Sequence, residues 1–369
     1  MENNNDQSVK YERLKLSSSI ISIFTVLGVP FILIVTGFSI DIRSFIKLQT
    51  ESDILGPSIF IIIIIMLMSV ITLPNSYYSG FFLEKKFGLN RMNFWQWLLD
   101  WTKSLTLEII LSVVTISVIY VLIRSSPENW WFIASVILAI FSMILLIITP
   151  VILLPLFYKF EPLPEGDLKN RLMNLADNLN TSINGIFIWK IGEKTSKSNA
   201  AVTGLGRTRR IIIADTLIET MTPEEIEVVM AHELGHHVKK DIWKGFLVQI
   251  ILIFLSLYGI SILLESFYER FGLSEVSDYA GIPLLILFTA LVSLVSMPVA
   301  MWFSRRSEKN ADIFALEITG MKSEFCSAMQ KLADQNLSRK NPNKLVKWIF
   351  YSHPPFEDRI ELAKKYFKH

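Results

Sequence analysis

Cysteine is almost absent from this sequence, and charged residues are scarce. Cys326 is the only cysteine among 369 residues, which excludes an intramolecular disulfide and a zinc knuckle built from cysteines. Only 19% of the residues are charged, against about 25% in soluble domains, and the net charge of +2 gives no bias towards nucleic acid. Because 51% of the residues are hydrophobic, the chain is also not disordered. The composition predicts a membrane protein.

Long runs without charge show where the chain is expected to cross the bilayer, because about 20 apolar residues span its hydrocarbon core. The six predicted spans are residues 16–40, 54–83, 104–123, 129–158, 245–264 and 279–304. Glu108 lies near one end of its span, and we interpret it as an interfacial carboxylate rather than a functional residue. The first span is too long for a signal-peptide core and has no small-residue cleavage site, so we expect it to be retained.

Positive charge is distributed unevenly around these spans. The N-terminal tail, the loop 84–103, the region 159–244 and the tail from residue 305 lie on one side and hold 32 of the 36 Lys and Arg residues. The positive-inside rule predicts that both termini and the polar region are cytoplasmic. The membrane would be the inner membrane of a bacterium or the endoplasmic reticulum of a eukaryote.

The spans divide the chain into four predicted regions. These are a membrane region with four transmembrane helices at 1–158, a polar cytoplasmic insert at 159–244, two further transmembrane helices at 245–304, and C-terminal cytoplasmic helices at 305–369. Within the insert, residues 163–179 have helical spacing, whereas the Ile-rich segments 186–190 and 210–214 are typical of short strands. A turn-rich connection at 192–209 joins the two strands.

The end of the insert predicts a helix that carries a metal motif. Thr222 suits an N-cap, Pro223 suits the first helical position, and Glu225 completes a capping box. The motif His232-Glu233-Leu234-Gly235-His236 follows on the same helix.

His232 and His236 fall one turn apart on one helix face, which suits two imidazole ligands of a tetrahedral zinc ion. Glu233 is rotated by about 100° per residue, so it can lie beside the metal and take a proton from metal-bound water. The alternative is a pair of surface histidines on a charged helix. The apolar residues at 226–231 instead indicate a buried helix, and buried imidazoles need partners.

A catalytic zinc ion takes three protein ligands and leaves its fourth position to water, so one further N or O ligand is expected. Glu308 and Asp312 are four residues apart and share a helix face where the chain leaves the last span. Glu308 fits the third ligand, and Asp312 fits a carboxylate that orients a ligand histidine. An ordinary solvated face would show the same spacing.

The other three histidines carry weaker signals. His237 points about 100° away from His236 and is expected to be solvated or packed. His353 precedes two prolines, which alone is typical of a turn. His369 is the terminal residue and has no assigned role.

Taken in order, these motifs resemble the type I CAAX prenyl protease family of integral-membrane zinc metalloproteases. The similarity runs from about residue 74 to residue 359. Besides the histidine motif it rests on LP at 73–74, EKKFGLN at 84–90, PLF at 155–157, PLPEG at 162–166, KSNA at 197–200, SRR at 304–306 with Glu308 and AD at 311–312, and SHPP at 352–355 with Arg359.

The resemblance implies an all-α membrane protein with a small α+β insert. Its fold would be an α-helical barrel of about six transmembrane helices that encloses a chamber, capped by a gluzincin-like zinc protease domain. Family members from fungi and animals have seven spans. Six are predicted here, and the missing span is the first.

The resemblance also assigns the site. It implies one Zn²⁺ per chain, bound by His232, His236 and Glu308, with Glu233 as the catalytic base.

Further residues gain roles only through the resemblance. His353 becomes a catalytic residue that stabilises the oxyanion or the bound peptide, and Arg359 becomes the partner of Asp312. Asn199 and Ala200 match an edge-strand segment whose backbone binds an extended peptide.

The predicted function is zinc-dependent hydrolysis of peptide bonds near the C-terminus of CaaX-like substrates, with or without a prenyl group. One alternative is a membrane quality-control zinc protease of the heat-shock type. Another, from a different class, is a non-enzymatic chamber or transporter with a structural zinc ion, although such a site needs no base like Glu233. The expected partners are a peptide or protein substrate and membrane lipids, and no nucleic acid.

Overall fold

The structure, a computed structural model, describes residues 4–204 and 206–366 and is mainly helical. Within these described ranges, six helical segments are long and apolar enough to cross a membrane, which confirms the number of predicted spans. They are Asp6–Val35, Leu55–Lys86, Phe94–Ser125, Trp130–Leu156, Asp241–Phe267 and Tyr279–Thr319.

The helices lie as follows within the described residues. They are α1 (Asn4–Val35), α2 (Phe38–Lys47), α3 (Leu55–Tyr77), α4 (Leu83–Lys86), α5 (Phe94–Ser125), α6 (Trp130–Ile148), α7 (Asp167–Asn178), α8 (Asp215–Thr220), α9 (Pro223–Val238), α10 (Asp241–Phe267), α11 (Ile282–Thr319), α12 (Lys322–Gln335), α13 (Lys344–Phe350) and α14 (Phe356–Tyr366). Short π-helical turns at Tyr78–Phe82 and Thr149–Leu153 follow α3 and α6.

The first predicted span is wrong at its C-terminal end. Residues 16–40 read as one apolar run, but α1 ends at Val35 and Gly37 adopts a φ of 74°. This left-handed conformation costs glycine little and other residues more. The chain therefore turns at Gly37 into the short helix α2 instead of continuing the span.

The membrane helices share one apolar core and leave space between them. Phe60 and Ile64 of α3, Ile260 of α10 and Leu284 of α11 are fully buried in this core. One cavity of about 790 Å³ opens at the end of the helices near α2. A second, of about 480 Å³, lies between α10 and α11 at the opposite end.

The insert contains a four-stranded sheet with the order β1-β2-β4-β3. Its strands are β1 (Phe160–Pro162), β2 (Ile186–Trp189), β3 (Ala200–Thr203) and β4 (Arg210–Ala214). β2 and β4 are parallel, and the outer strands are antiparallel to their neighbours. The prediction is confirmed for β4 and is one residue too long for β2. β3 lies at one edge of the sheet.

Candidate metal centre

The helix that carries the histidine motif is fixed at its start. The Thr222 side chain accepts a hydrogen bond from the backbone N–H of Glu225, and the Glu225 carboxylate accepts one from the N–H of Thr222 at 2.8 Å. The buried Glu225 carboxylate also accepts hydrogen bonds from Ser327 at 2.6 Å and Lys331 at 2.7 Å, both on α12. The predicted capping box is confirmed, and hydrogen bonds from α12 stabilise it.

Three potential ligand atoms converge where α9 meets α11. His232 Nε2 lies 3.2 Å from His236 Nε2 and 3.4 Å from Glu308 Oε2. His236 Nε2 lies 3.3 Å from Glu308 Oε1. With metal–ligand bonds of about 2.0–2.1 Å, tetrahedral geometry separates neighbouring ligand atoms by about 3.3 Å. The three side chains therefore have the spacing that a single tetrahedral ion requires.

The electrostatic surroundings fit a cation at the same point. Glu308 Oε2 is buried and has no hydrogen-bond partner among the described residues, and such a carboxylate oxygen is costly without a positive neighbour. Burial lowers the pKa of His232, but the neighbouring carboxylates of Asp312 and Glu308 outweigh burial and raise the pKa above its usual value. The site thus favours positive charge, which a metal ion supplies while the imidazoles stay neutral.

A carboxylate contacts the Nδ1 atom of each of the two candidate ligands His232 and His236. His232 Nδ1 lies 2.9 Å from Asp312 Oδ1, and Asp312 is fully buried and accepts hydrogen bonds from Arg359 at 2.6 and 2.9 Å. His236 Nδ1 lies 3.1 Å from Asp241 Oδ2. Such carboxylates fix the orientation of the ring and the ring nitrogen that carries the proton.

Asp241 was not among the residues predicted for the site. It begins α10 directly after Lys240, which has a φ of 58° and turns the chain back towards α9. An acidic residue at a helix start is common because it stabilises the helix dipole, so its sequence signal resembles ordinary capping. Its position five residues after His236 was the available clue.

Gly235 allows the two metal-site helices to approach each other. A Cβ atom at this position would lie 2.8 Å from Cδ1 of Phe314 on α11, which is closer than real Cβ contacts. The glycine inside the motif therefore sets the helix separation at which Glu308 reaches the histidines.

A cleft of about 600 Å³ opens beside His232 and Glu308. Glu233, His353, Asn199 and Ala200 all line it. Burial raises the pKa of Glu233, although the nearby His232 and other positive groups oppose this effect. His353 Nε2 lies 3.2 Å from Glu308 Oε1, and its side chain is 62% exposed. The structure thus brings these sequence-predicted residues to one cleft.

The remaining histidines lie elsewhere. His237 is half-buried, and burial lowers its pKa. It is not part of the group of potential metal ligands that the described residues contain. His369 lies outside the described residues.

Both walls of the cleft are tied to the membrane region by contacts that the sequence did not reveal. Glu12 on α1 accepts hydrogen bonds from Tyr351, two residues before His353, and from Arg339. Glu84 on α4 lies 2.9 Å from Lys197, which precedes the edge strand β3. The membrane region therefore supports the cleft directly.

Comparisons with known proteins cover nearly the whole chain. The family model "Peptidase family M48" matches residues 162–366, and the model "CAAX prenyl protease N-terminal, five membrane helices" matches residues 2–159. The chain is 32% identical to CAAX prenyl protease 1 of Saccharomyces cerevisiae, over 85% of this chain and 73% of that protein. It is 29% identical to the uncharacterized metalloprotease YhfN of Bacillus subtilis, over 92% of this chain and 82% of that protein.

Among solved structures, the chain is similar to the crystal structure of S. mikatae Ste24p. The TM-score is 0.87 at 29% identity, and the match covers 98% of this chain and 89% of that one. The predicted fold class, a helical membrane barrel with a small α+β insert, is confirmed by this similarity.

Proposed function

The chain belongs to peptidase family M48 and is an integral-membrane metalloendopeptidase, and we propose that it binds one zinc ion through His232, His236 and Glu308. Two imidazoles and a carboxylate are a ligand set of catalytic zinc sites, which keep the fourth position open. The observation that carries the proposal is the separation of 3.2–3.4 Å between the three ligand atoms. Glu233 lies beside them in the cleft.

The side chains divide the reaction between them. A bound zinc ion supplies Lewis acidity, which polarises the scissile carbonyl and lowers the pKa of water. Glu233 takes the proton of the attacking water and returns it to the leaving amine. His353 donates a hydrogen bond to the oxyanion. Asp312, held by Arg359, and Asp241 keep the two histidines in their ligand orientation.

The substrate we propose is a CaaX-like C-terminal peptide, with or without a lipid group. Relatives that the chain matches over most of their length are named CAAX prenyl proteases. In the part of the chain that the structure describes, β3 pairs with β4 on one side only, so its other edge can pair with an extended peptide beside Asn199 and Ala200. A structural zinc site is not favoured, because it needs no base in the position of Glu233.

The site is proposed to face the cytoplasm. Regions 159–244 and 305–369 together form the protease unit, and the membrane regions 1–158 and 245–304 carry it. The side of the membrane that holds 32 of the 36 Lys and Arg residues is the cytoplasmic side by the positive-inside rule.

Glu233→Gln tests the chemistry. We expect the purified variant to keep its zinc and to lose at least about 100-fold in turnover, the usual contribution of a general base. Glu224→Gln, a half-buried position near the start of the same helix that is paired with Arg171, is the matched control and should retain activity. Undiminished turnover of Glu233→Gln would contradict the assignment.

The same assay tests the substrate. A farnesylated CaaX peptide, the same peptide without the lipid, and a scrambled farnesylated peptide are compared. Preferential cleavage of the first supports a lipidated CaaX substrate, whereas equal cleavage of the scrambled peptide contradicts CaaX recognition.

A further inference from the structure

The helix α13 exposes an apolar pair on its surface. Leu345 is 63% exposed and Trp348 is 52% exposed, and their spacing of three residues puts them on one helix face. Lys344 at the start of the same helix and Lys340, four residues earlier in the chain, are also exposed. We call this face, with Leu345, Trp348, Lys340 and Lys344, the α13 surface.

The α13 surface is held at the level where the last span leaves the membrane. Arg305 on α11 is the first charged residue after the uncharged run 279–304. Its guanidinium donates hydrogen bonds to the carbonyl oxygens of Lys347 at 3.1 Å, Trp348 at 3.3 Å and Tyr351 at 2.6 Å. Because α11 crosses the bilayer, these contacts fix the end of α13 beside the membrane interface.

The other exposed tryptophans mark the same level. Trp95 lies at the start of α5, Trp243 lies at the start of α10, and Trp302 lies three residues before Arg305. All three are at the end of a span on the metal-site side, where tryptophan is enriched because its ring suits the headgroup region. Trp348 is the fourth exposed tryptophan among the described residues, and it is the one that lies outside a span.

We propose that the α13 surface docks on the bilayer interface on the metal-site side, with Leu345 and Trp348 among the headgroups and the lysines against anionic lipid. Continuity with the last span favours lipid over a protein partner, because Arg305 joins α13 to the point where α11 emerges. The adjacent lysines are attracted by anionic headgroups. Docking would also steady the cleft wall, because His353 follows Tyr351 closely and Arg305 binds the Tyr351 carbonyl.

Spin labels in the full-length protein test this docking. In a Cys326→Ser background, single labels are placed by Leu345→Cys and Trp348→Cys. Trp302→Cys serves as the lipid-side reference, and Glu219→Cys, exposed on α8, serves as the aqueous reference. The protein is reconstituted into nanodiscs of phosphatidylcholine with or without phosphatidylglycerol, and accessibility to oxygen and to a nickel chelate is measured.

We expect the labels at 345 and 348 to resemble the label at 302, with low access for the nickel chelate, and to lie deeper when phosphatidylglycerol is present. The double change Lys340→Glu/Lys344→Glu should remove that lipid dependence. The proposal would be overturned if the labels at 345 and 348 were as water-accessible as the label at 219 in both lipid mixtures. The α13 surface would then be a candidate site for a protein partner. The measurement requires no catalysis, so its failure is distinguishable from failure of the proposed peptidase reaction.

Discussion

Asp312 and Asp241, the carboxylates that contact the two ligand histidines, differ in how well the sequence predicts them. Asp312 is four residues from Glu308 on one helix face, and this spacing suggested it as the residue that orients a ligand histidine. Asp241 starts a new helix after a turn, and a carboxylate there is ordinarily a cap. In the structure the chain turns at Lys240, and this turn brings Asp241 Oδ2 to 3.1 Å from His236 Nδ1.

Asp241→Asn should weaken metal binding by about 10–100-fold, the usual effect of removing a carboxylate behind a ligand histidine. The amide keeps the size of the side chain but loses the negative charge that steadies the ring. The measurement is the amount of zinc that each variant retains in the presence of a competing chelator. Asp334→Asn, an exposed change on α12, is the control, and equal zinc retention in both variants would contradict the role of Asp241.

Glu225 should make part of the stability depend on pH. Burial alone would raise its pKa, but hydrogen bonds from Lys331, Ser327 and the Thr222 N–H outweigh burial and lower it. Since the folded pKa lies below the unfolded value of about 4.3, the stabilisation is present above that value and is lost as pH falls through the folded pKa.

The comparison of wild type with Glu225→Gln checks this expectation. At neutral pH the free energy of unfolding of the variant should be about 1–3 kcal/mol lower than that of the wild type. This is the range for hydrogen bonds to a buried charged group. The difference should shrink as the pH is lowered below about 4. Melting is measured in detergent with a chelator present, so that titration of the metal site is common to both proteins. A difference independent of pH would refute the argument.

At the scale of elements, the separation of α9 and α11 decides whether a metal site exists. Gly235→Ala should destabilise the protein by about 1–3 kcal/mol, the cost of overpacking a core, because its Cβ meets Phe314 at 2.8 Å. It should also lower the zinc content, since α11 carries Glu308. Phe314→Leu in the same chain should restore part of both. Unchanged melting and zinc content in Gly235→Ala would show that the close approach is unimportant.

The elements that the sequence predicted are those with strong local signals. The six spans, the start of α9 and the strand β4 follow from charge-free runs, a capping box and a run of isoleucines. β3 consists of Ala, Ala, Val and Thr, which have no periodicity of their own, and only the family resemblance marked its start. The end of α1 at Val35 and the turn at Gly37 were missed, because an apolar run does not show where its backbone turns.

At the scale of the whole molecule, the uneven charge predicts one orientation. In a Cys326→Ser background, Glu51→Cys lies in the loop between α2 and α3, and Glu219→Cys lies on the metal-site side. A membrane-impermeant maleimide applied to intact cells should label the first variant, and should label the second only after permeabilisation. The reverse pattern would contradict the proposed cytoplasmic site.

The contacts of Glu12 could not be predicted, because nothing local pairs residues so distant in the chain. Tyr351 binds Glu12 across 339 residues, and all the later spans lie between them. At about 5–20 residues per second, the ribosome makes Tyr351 tens of seconds after Glu12. The wall that bears His353 is therefore completed only after the last span has been synthesised.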